Sequence, residues 1–211
     1  MKHATPNCIL RPRGVLAILA LLAAPLAQAH HPMGGTTPAT LTEGLLSGLG
    51  HPVIGPDHLA FLLIAGLLAA AVAGSARYLL PLAFVGATVG GTLYHLAAAD
   101  LPLSETVIAL SVLLGGLALV LRRSLPTLLL GGLFAVAGIY HGYAYGEAII
   151  GAESTPLLAY LVGFAFIQYL LIAATAWGLS RVAGDAQARM LRGAGIVATA
   201  AGSLFLALSL A

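Results

Sequence analysis

Two histidines and an acid stand together in an apolar surround. The stretch Gly50-His51-Pro52-Val53-Ile54-Gly55-Pro56-Asp57-His58 lies in a run, 45–73, that holds no other ionisable residue. On a regular helix His51 and His58, seven apart, share a face, and Asp57 points about 120° away. Pro52 and Pro56 argue against regular geometry. Each lacks a backbone donor and clashes with the carbonyl four residues back, which frees the carbonyls near 48 and 52. A break here can bring His51, Asp57 and His58 onto one centre. Neutral imidazole suits nickel, cobalt, copper or zinc, and a carboxylate compensates charge. The plainer reading is a buried Asp57–histidine pair that locks a helix bundle.

A second polar cluster is Tyr140-His141-Gly142-Tyr143-Ala144-Tyr145-Gly146-Glu147. His141 and Tyr145 are one turn apart on one face, so His141 reads as a ligand or relay for the same ion, or as a histidine bonded to a backbone carbonyl. Tyr145 is a candidate on the ion's path. Glu147 is a vestibule carboxylate or a solvated helix end. His95, followed by Asp100, reads as an outer ligand or an interfacial histidine. Gln168 is one amide amid apolar residues, either lining a path or bonding two helices. Glu43 and Glu105 open apolar segments, where a carboxylate favours the positive end of the helix dipole.

These residues need membrane helices to position them. The chain has 211 residues, 60% hydrophobic and 8% charged, with a mean hydropathy of +1.00. A soluble domain carries roughly 25% charged residues, so the composition defines a polytopic membrane protein. Residues 1–29 read as a cleaved signal peptide, the alternative being an uncleaved first transmembrane helix. Lys2, His3, Arg11 and Arg13 form the basic region, 15–26 the apolar core, and Ala27-Gln28-Ala29 the cleavage site. Cleavage removes Cys8, the single cysteine, and leaves His30-His31 at the mature terminus. There an α-amine and imidazole can capture a divalent cation outside the membrane.

Residues 30–211 read as one all-α domain of six transmembrane helices, over 43–73, 76–98, 105–121, 126–148, 156–179 and 191–210. Short connections predict antiparallel packing of neighbours. Gly44/Gly48, Gly86/Gly90 and Gly138/Gly142/Gly146 recur every four residues, a spacing that lets helix backbones approach. Arg77, Arg122, Arg123, Arg181, Arg189 and Arg192 fall in loops after the first, third and fifth segments. That pattern places those loops in the cytoplasm and the mature N-terminus in the periplasm of a bacterial inner membrane. Of nine Lys and Arg residues, three precede residue 30, leaving six against seven acids. Asp100, Glu105 and Glu153 lie at the outer side, which should attract cations. The basic loops serve topology, and no nucleic-acid motif is present.

At these residues the sequence resembles the HupE/UreJ family of hydrogenase and urease accessory membrane proteins, over nearly all of the mature chain. One family signature, His-x5-Asp-His, is matched by His51, Asp57 and His58. Another, His-Gly-x-Ala-His-Gly-x-Glu, is matched by His141, Gly142, Ala144 and Gly146. It departs at Tyr145, where the family often has histidine, and at Glu147, one residue early. Gln168 stands where some relatives place a histidine. The resemblance implies permeation of nickel or cobalt for metalloenzyme assembly, with the ion as cargo rather than a resident cofactor.

Three functional classes follow. The first is a secondary permease or channel that imports Ni2+ or Co2+, as a monomer or homo-oligomer, driven by gradient, potential or cytoplasmic trapping. The second is a non-transporting metal-binding accessory protein. The third, an intramembrane enzyme, is not expected. No His-Glu-x-x-His zinc motif occurs, and Ser47 and Ser111 have no base partner evident in the sequence.

Overall fold

The computed structural model describes residues 36–122 and 125–211. The proposed signal peptide and His30/His31 lie outside the described residues. Among the described residues there are seven α-helices and no strand. They are α1 (Leu41–Ile54), α2 (Pro56–Ala70), α3 (Ala76–Leu96), α4 (Ser104–Val120), α5 (Thr127–Gly146), α6 (Ser154–Ser180) and α7 (Gly184–Ser209). A short 3-10 turn, Glu147–Ile149, extends α5.

Four of these are long and apolar enough to cross a bilayer: α3, α5 with its 3-10 turn, α6 and α7. Helices α1 and α2 pass the same test together, bent by 76°, and bring the total to five among the described residues. The expected third segment, α4, has 17 residues, or about 25 Å at 1.5 Å per residue, against a hydrocarbon core of about 30 Å. Six full spans are therefore not reached by length. The last helix also starts seven residues earlier than the apolar pattern indicates, at Gly184. Asp185-Ala-Gln-Ala-Arg sustains helix without being apolar, so Arg189 and Arg192 lie on α7 rather than in a loop.

The tightest helix pairs are not sequence neighbours: α3 with α5, α4 with α7, and α1 with α6. The first and third run parallel. Glycine explains each. A Cβ on Gly142 would collide with the backbone of Thr88, and one on Gly48 with the carbonyl of Tyr160. Gly195 and Gly202 likewise bring α7 against the backbone of Val120 and Leu113 on α4, somewhat less closely. With lipid as apolar as the side chains, such backbone contact is a main source of association. Gly86 and Gly90 do not take part, since nothing lies within 4 Å of a Cβ at either. The neighbouring Gly91 fills that role, against Ile139. A spacing of four identifies a face but not the side that meets a partner.

Candidate metal-binding centre

The break between α1 and α2 organises the site. Helix α1 starts cleanly, with a capping box in which Glu43 N–H donates to Thr40 Oγ1 and Thr40 N–H donates to Glu43 Oε2, each at 3.2 Å. Pro52 does not break it and lies inside the helix. Pro56 sets the break, because it forces the preceding residue out of the helical region. Gly55 is accordingly extended, with φ −71° and ψ 112°, and Pro56 then opens α2, where its missing N–H costs nothing. A Cβ on Gly55 would stand 2.6 Å from Cδ2 of His58. Glycine is thus needed here so that the His58 ring can fold back over the break.

Three imidazoles converge there from three helices: His51 at the end of α1, His58 at the start of α2 and His141 on α5. All three are 0% exposed. The rings of His51 and His58 are 5.7 Å apart, and those of His58 and His141 5.0 Å. Asp57, also buried, accepts the His58 backbone N–H on Oδ1 at 2.8 Å, and the same oxygen lies 4.0 Å from His58 Nδ1. The carboxylate sits in the first turn of α2, the positive end of that helix.

Tyr145 and Tyr160, fully buried, complete the shell. The Tyr145 ring stands 4.5 Å from His58 and 4.9 Å from His51. On the α2 side away from the break, Phe61 and Phe84 pack against His141, with ring centroids at 4.8 and 5.7 Å.

The hydrogen bonds fix where the imidazole protons lie. Ser111 Oγ donates its one proton to the Ile108 carbonyl at 2.7 Å, so it accepts from Nε2–H of His141 at 3.0 Å. In a neutral imidazole Nδ1 of His141 is then an acceptor, and Nδ1–H of His58 donates to it at 2.8 Å. The lone pair of His58 therefore resides on Nε2. The second chain has the same logic. Tyr160 O–H donates to the Tyr145 carbonyl at 2.8 Å and accepts from Nδ1–H of His51 at 2.9 Å, which leaves the His51 lone pair on Nε2. Two anchors on α4 and α6 thus set both histidines with Nε2 as the basic nitrogen, the form in which imidazole binds a metal.

Among the described residues, no three or more His, Cys, Asp or Glu side chains already stand in an ion-holding arrangement. The two-imidazole spacing, however, is of the right size. With metal–nitrogen bonds of about 2.1 Å, two imidazoles on one ion have ring centres roughly 5 to 6.5 Å apart.

The remaining sequence candidates fall in different places. Gln168 is 0% exposed on the stripe Tyr160, Phe164, Gln168, Ile172, all fully buried. It lies eight residues beyond Tyr160, about 12 Å along the axis of α6. Neither polar atom of its amide has a hydrogen-bond partner among the described residues, so it does not tie two helices together by that bond. The hydroxyls of Tyr145 and Ser47 are in the same condition. Glu147 is exposed on the 3-10 turn and is not brought to the histidines. His95, half-buried, packs against Tyr143 with ring centroids 4.2 Å apart and the rings tilted by 51°, and Tyr143 O–H reaches Asp100 at 3.5 Å.

Ser111 corrects an expectation, because it does have an imidazole partner. Its proton is directed at Ile108 and not at His141, which is opposite to the donation that base-activated attack requires. Sequence reasoning missed Tyr160 and Ser111 as anchors. For Tyr160 the signal was present: a tyrosine four residues before Phe164 and eight before Gln168.

The fold and this centre define a multi-pass helical membrane protein with a buried imidazole cluster at a broken helix. Comparison with known proteins gives the particular family. The model of the HupE / UreJ protein family matches residues 18–205, and the chain belongs to that family. A curated relative, Protein HupE of Rhizobium leguminosarum bv. viciae, is 30% identical over 189 residues, covering 89% of this chain and 95% of that protein. No solved structure matches the chain.

Proposed function

We propose that this protein is a permease or channel that carries Ni2+ or Co2+ inward across a bacterial inner membrane, for metalloenzyme or cofactor assembly. The observation that carries the reading is the burial of His51, His58 and His141 together at the α1–α2 break, beside Asp57. A charge at such depth costs at least about 2.5–3.5 kcal/mol, so ionisable groups there mark ion paths and partners. Membership in a family whose resemblance implies nickel and cobalt handling supports the choice of ion.

In this reading His51 and His58 offer Nε2, His141 holds His58 in register, and Asp57 compensates the ion's charge. Tyr145 and Gln168 line the path beyond, with side-chain polar atoms that have no hydrogen-bond partner among the described residues. Glu147, His95 and Asp100 gather cations at the outer mouth, together with His30/His31 on a mature periplasmic N-terminus. Helix α4 serves as a sixth span in a locally thinned bilayer. An ion of charge two gains about 4.6 kcal/mol per 100 mV of inside-negative potential, at roughly 2.3 per charge.

The test is uptake of radiolabelled nickel and cobalt, separately, in cells that lack their own importers. Wild type should accumulate one of them, and Asp57→Ala should not, at equal membrane expression. Binding of metal without uptake in wild type would instead support a non-transporting accessory role.

A further inference from the structure

The opposite end of the bundle from the α1 N-terminus carries a second site of different chemistry. Two cavities adjoin where α2 and α4 end and α7 begins. One, of about 400 Å³ and open to the surface, is lined by the exposed side chains of Arg122, Arg189 and Arg192 together with Asp185. The other, of about 320 Å³, has a mostly apolar lining that includes Leu67, Leu68, Leu119 and Leu191. Arg122 and Ala188 border both, so a cationic cavity and an oily one lie side by side as two halves of a slot.

Arg122 reaches its place through a left-handed turn, φ 51°, directly after α4. Arg189 and Arg192 project one turn apart from α7. No carboxylate lies within salt-bridge distance of any of the three among the described residues, Asp185 included. Topology alone asks only for basic residues near this end. It does not ask that three of them line one cavity that adjoins an apolar groove, while Arg77 and Arg181 stand outside it.

We propose that this slot binds one anionic phospholipid, with its phosphate held by Arg122, Arg189 and Arg192 and the start of an acyl chain against Leu67, Leu68, Leu119 and Leu191. Charge complementarity selects the headgroup, since guanidinium groups match phosphate oxygens in a fork geometry. Basic pockets between helices at this depth suit phosphate headgroups. The shared border selects a lipid over a free phosphate, because an apolar groove adjoins the cationic cavity and offers an acyl chain a place. The lipid would join α4 to α7 and offset the positive field at this mouth of the bundle. The inference is independent of the metal reading.

The test uses the full chain in detergent and counts bound lipid by native mass spectrometry with phosphatidylglycerol or phosphatidylcholine added. Wild type should retain one phosphatidylglycerol, at least about tenfold more tightly than phosphatidylcholine. Each arginine near the surface contributes about fivefold, so Arg192→Gln should weaken retention by about that factor, and the triple Arg122→Gln, Arg189→Gln, Arg192→Gln variant should lose the preference. Arg77→Gln and Arg181→Gln remove equal charge outside the slot and should change nothing. Equal retention of both lipids by wild type would overturn the proposal. So would equal weakening by Arg77→Gln and Arg192→Gln, which shows only diffuse attraction. Displacement of the lipid by glycerol phosphate at matching concentration would overturn the apolar half. Should the triple variant fail to fold, the Arg192→Gln and Arg77→Gln pair still decides.

Discussion

Two regions of this molecule combine histidine, tyrosine and carboxylate, and they differ in every other respect. At the α1–α2 break, His51, His58 and His141 are wholly buried, and their Nδ1 or Nε2 atoms are bound at 2.8 to 3.0 Å. At the ends of α3 and α5, His95 is half-buried on Tyr143, Asp100 is reached only at 3.5 Å, and Glu147 is exposed. In the second group Asp100 and Glu147 stay in water, while His95 Nδ1 is buried with no hydrogen-bond partner among the described residues. The first has been taken out of water, and its cost must be offset by partners that leave little freedom. The same side chains thus form a fixed device in one place and a solvated fringe in the other.

The largest contrast should appear in transport. Asp57→Ala or His58→Ala should abolish metal uptake at normal expression, whereas Glu147→Gln and Asp100→Asn should each change the initial rate by less than about threefold, as expected for exposed charges that only steer ions. Comparable losses at both places would erase the distinction.

The next contrast concerns the scaffold. Gly142→Ala drives a methyl into the Thr88 backbone, which cannot yield as a side chain would. A loss near the upper end of the usual overpacking cost, about 3 kcal/mol, is expected as lower yield and earlier thermal unfolding. Gly86→Ala, with open space at its Cβ, should be neutral or slightly stabilising.

The proton anchors give a smaller and more specific effect. Tyr160→Phe and Ser111→Ala release the tautomers of His51 and His141. Partners of this kind typically matter by about 10- to 100-fold in metal affinity, read as a rise in the metal concentration for half-maximal uptake with little change in protein yield. The smallest effect belongs to Gln168. Replacing a buried amide that lacks hydrogen-bond partners by an apolar chain, Gln168→Met, should stabilise by about 1 kcal/mol, or roughly 2–4 °C in Tm for a chain of this size. Uptake should fall in the same variant. A gain in both would mean that the amide does not line the path.

Much of this was legible in the chain. Composition and hydropathy define a helical membrane protein, and Pro52 and Pro56 marked a break in this stretch, although only Pro56 makes it and Pro52 stays within α1. The gathering of His141 with His51 and His58 was also legible as two polar islands among apolar residues. What was not legible depends on partners across space. Helix pairing followed glycine faces rather than sequence order, and the pattern at Gly86/Gly90 pointed to the wrong face. The start of α7 was missed because its first turns are helical but charged. Ser111 and Tyr160 are ordinary residues whose role comes only from the imidazole that meets them. The arginine slot likewise joins residues separated by more than sixty positions.

The most direct measurement is metal flux through the purified full chain in sealed proteoliposomes, with an imposed inside-negative potential and separate nickel and cobalt. A permease of this kind should accumulate one ion under the imposed potential, and Asp57→Ala of equal reconstitution should accumulate none. Wild-type protein that binds the ion yet shows no flux above empty vesicles would contradict it and leave a metal-holding accessory protein in its place.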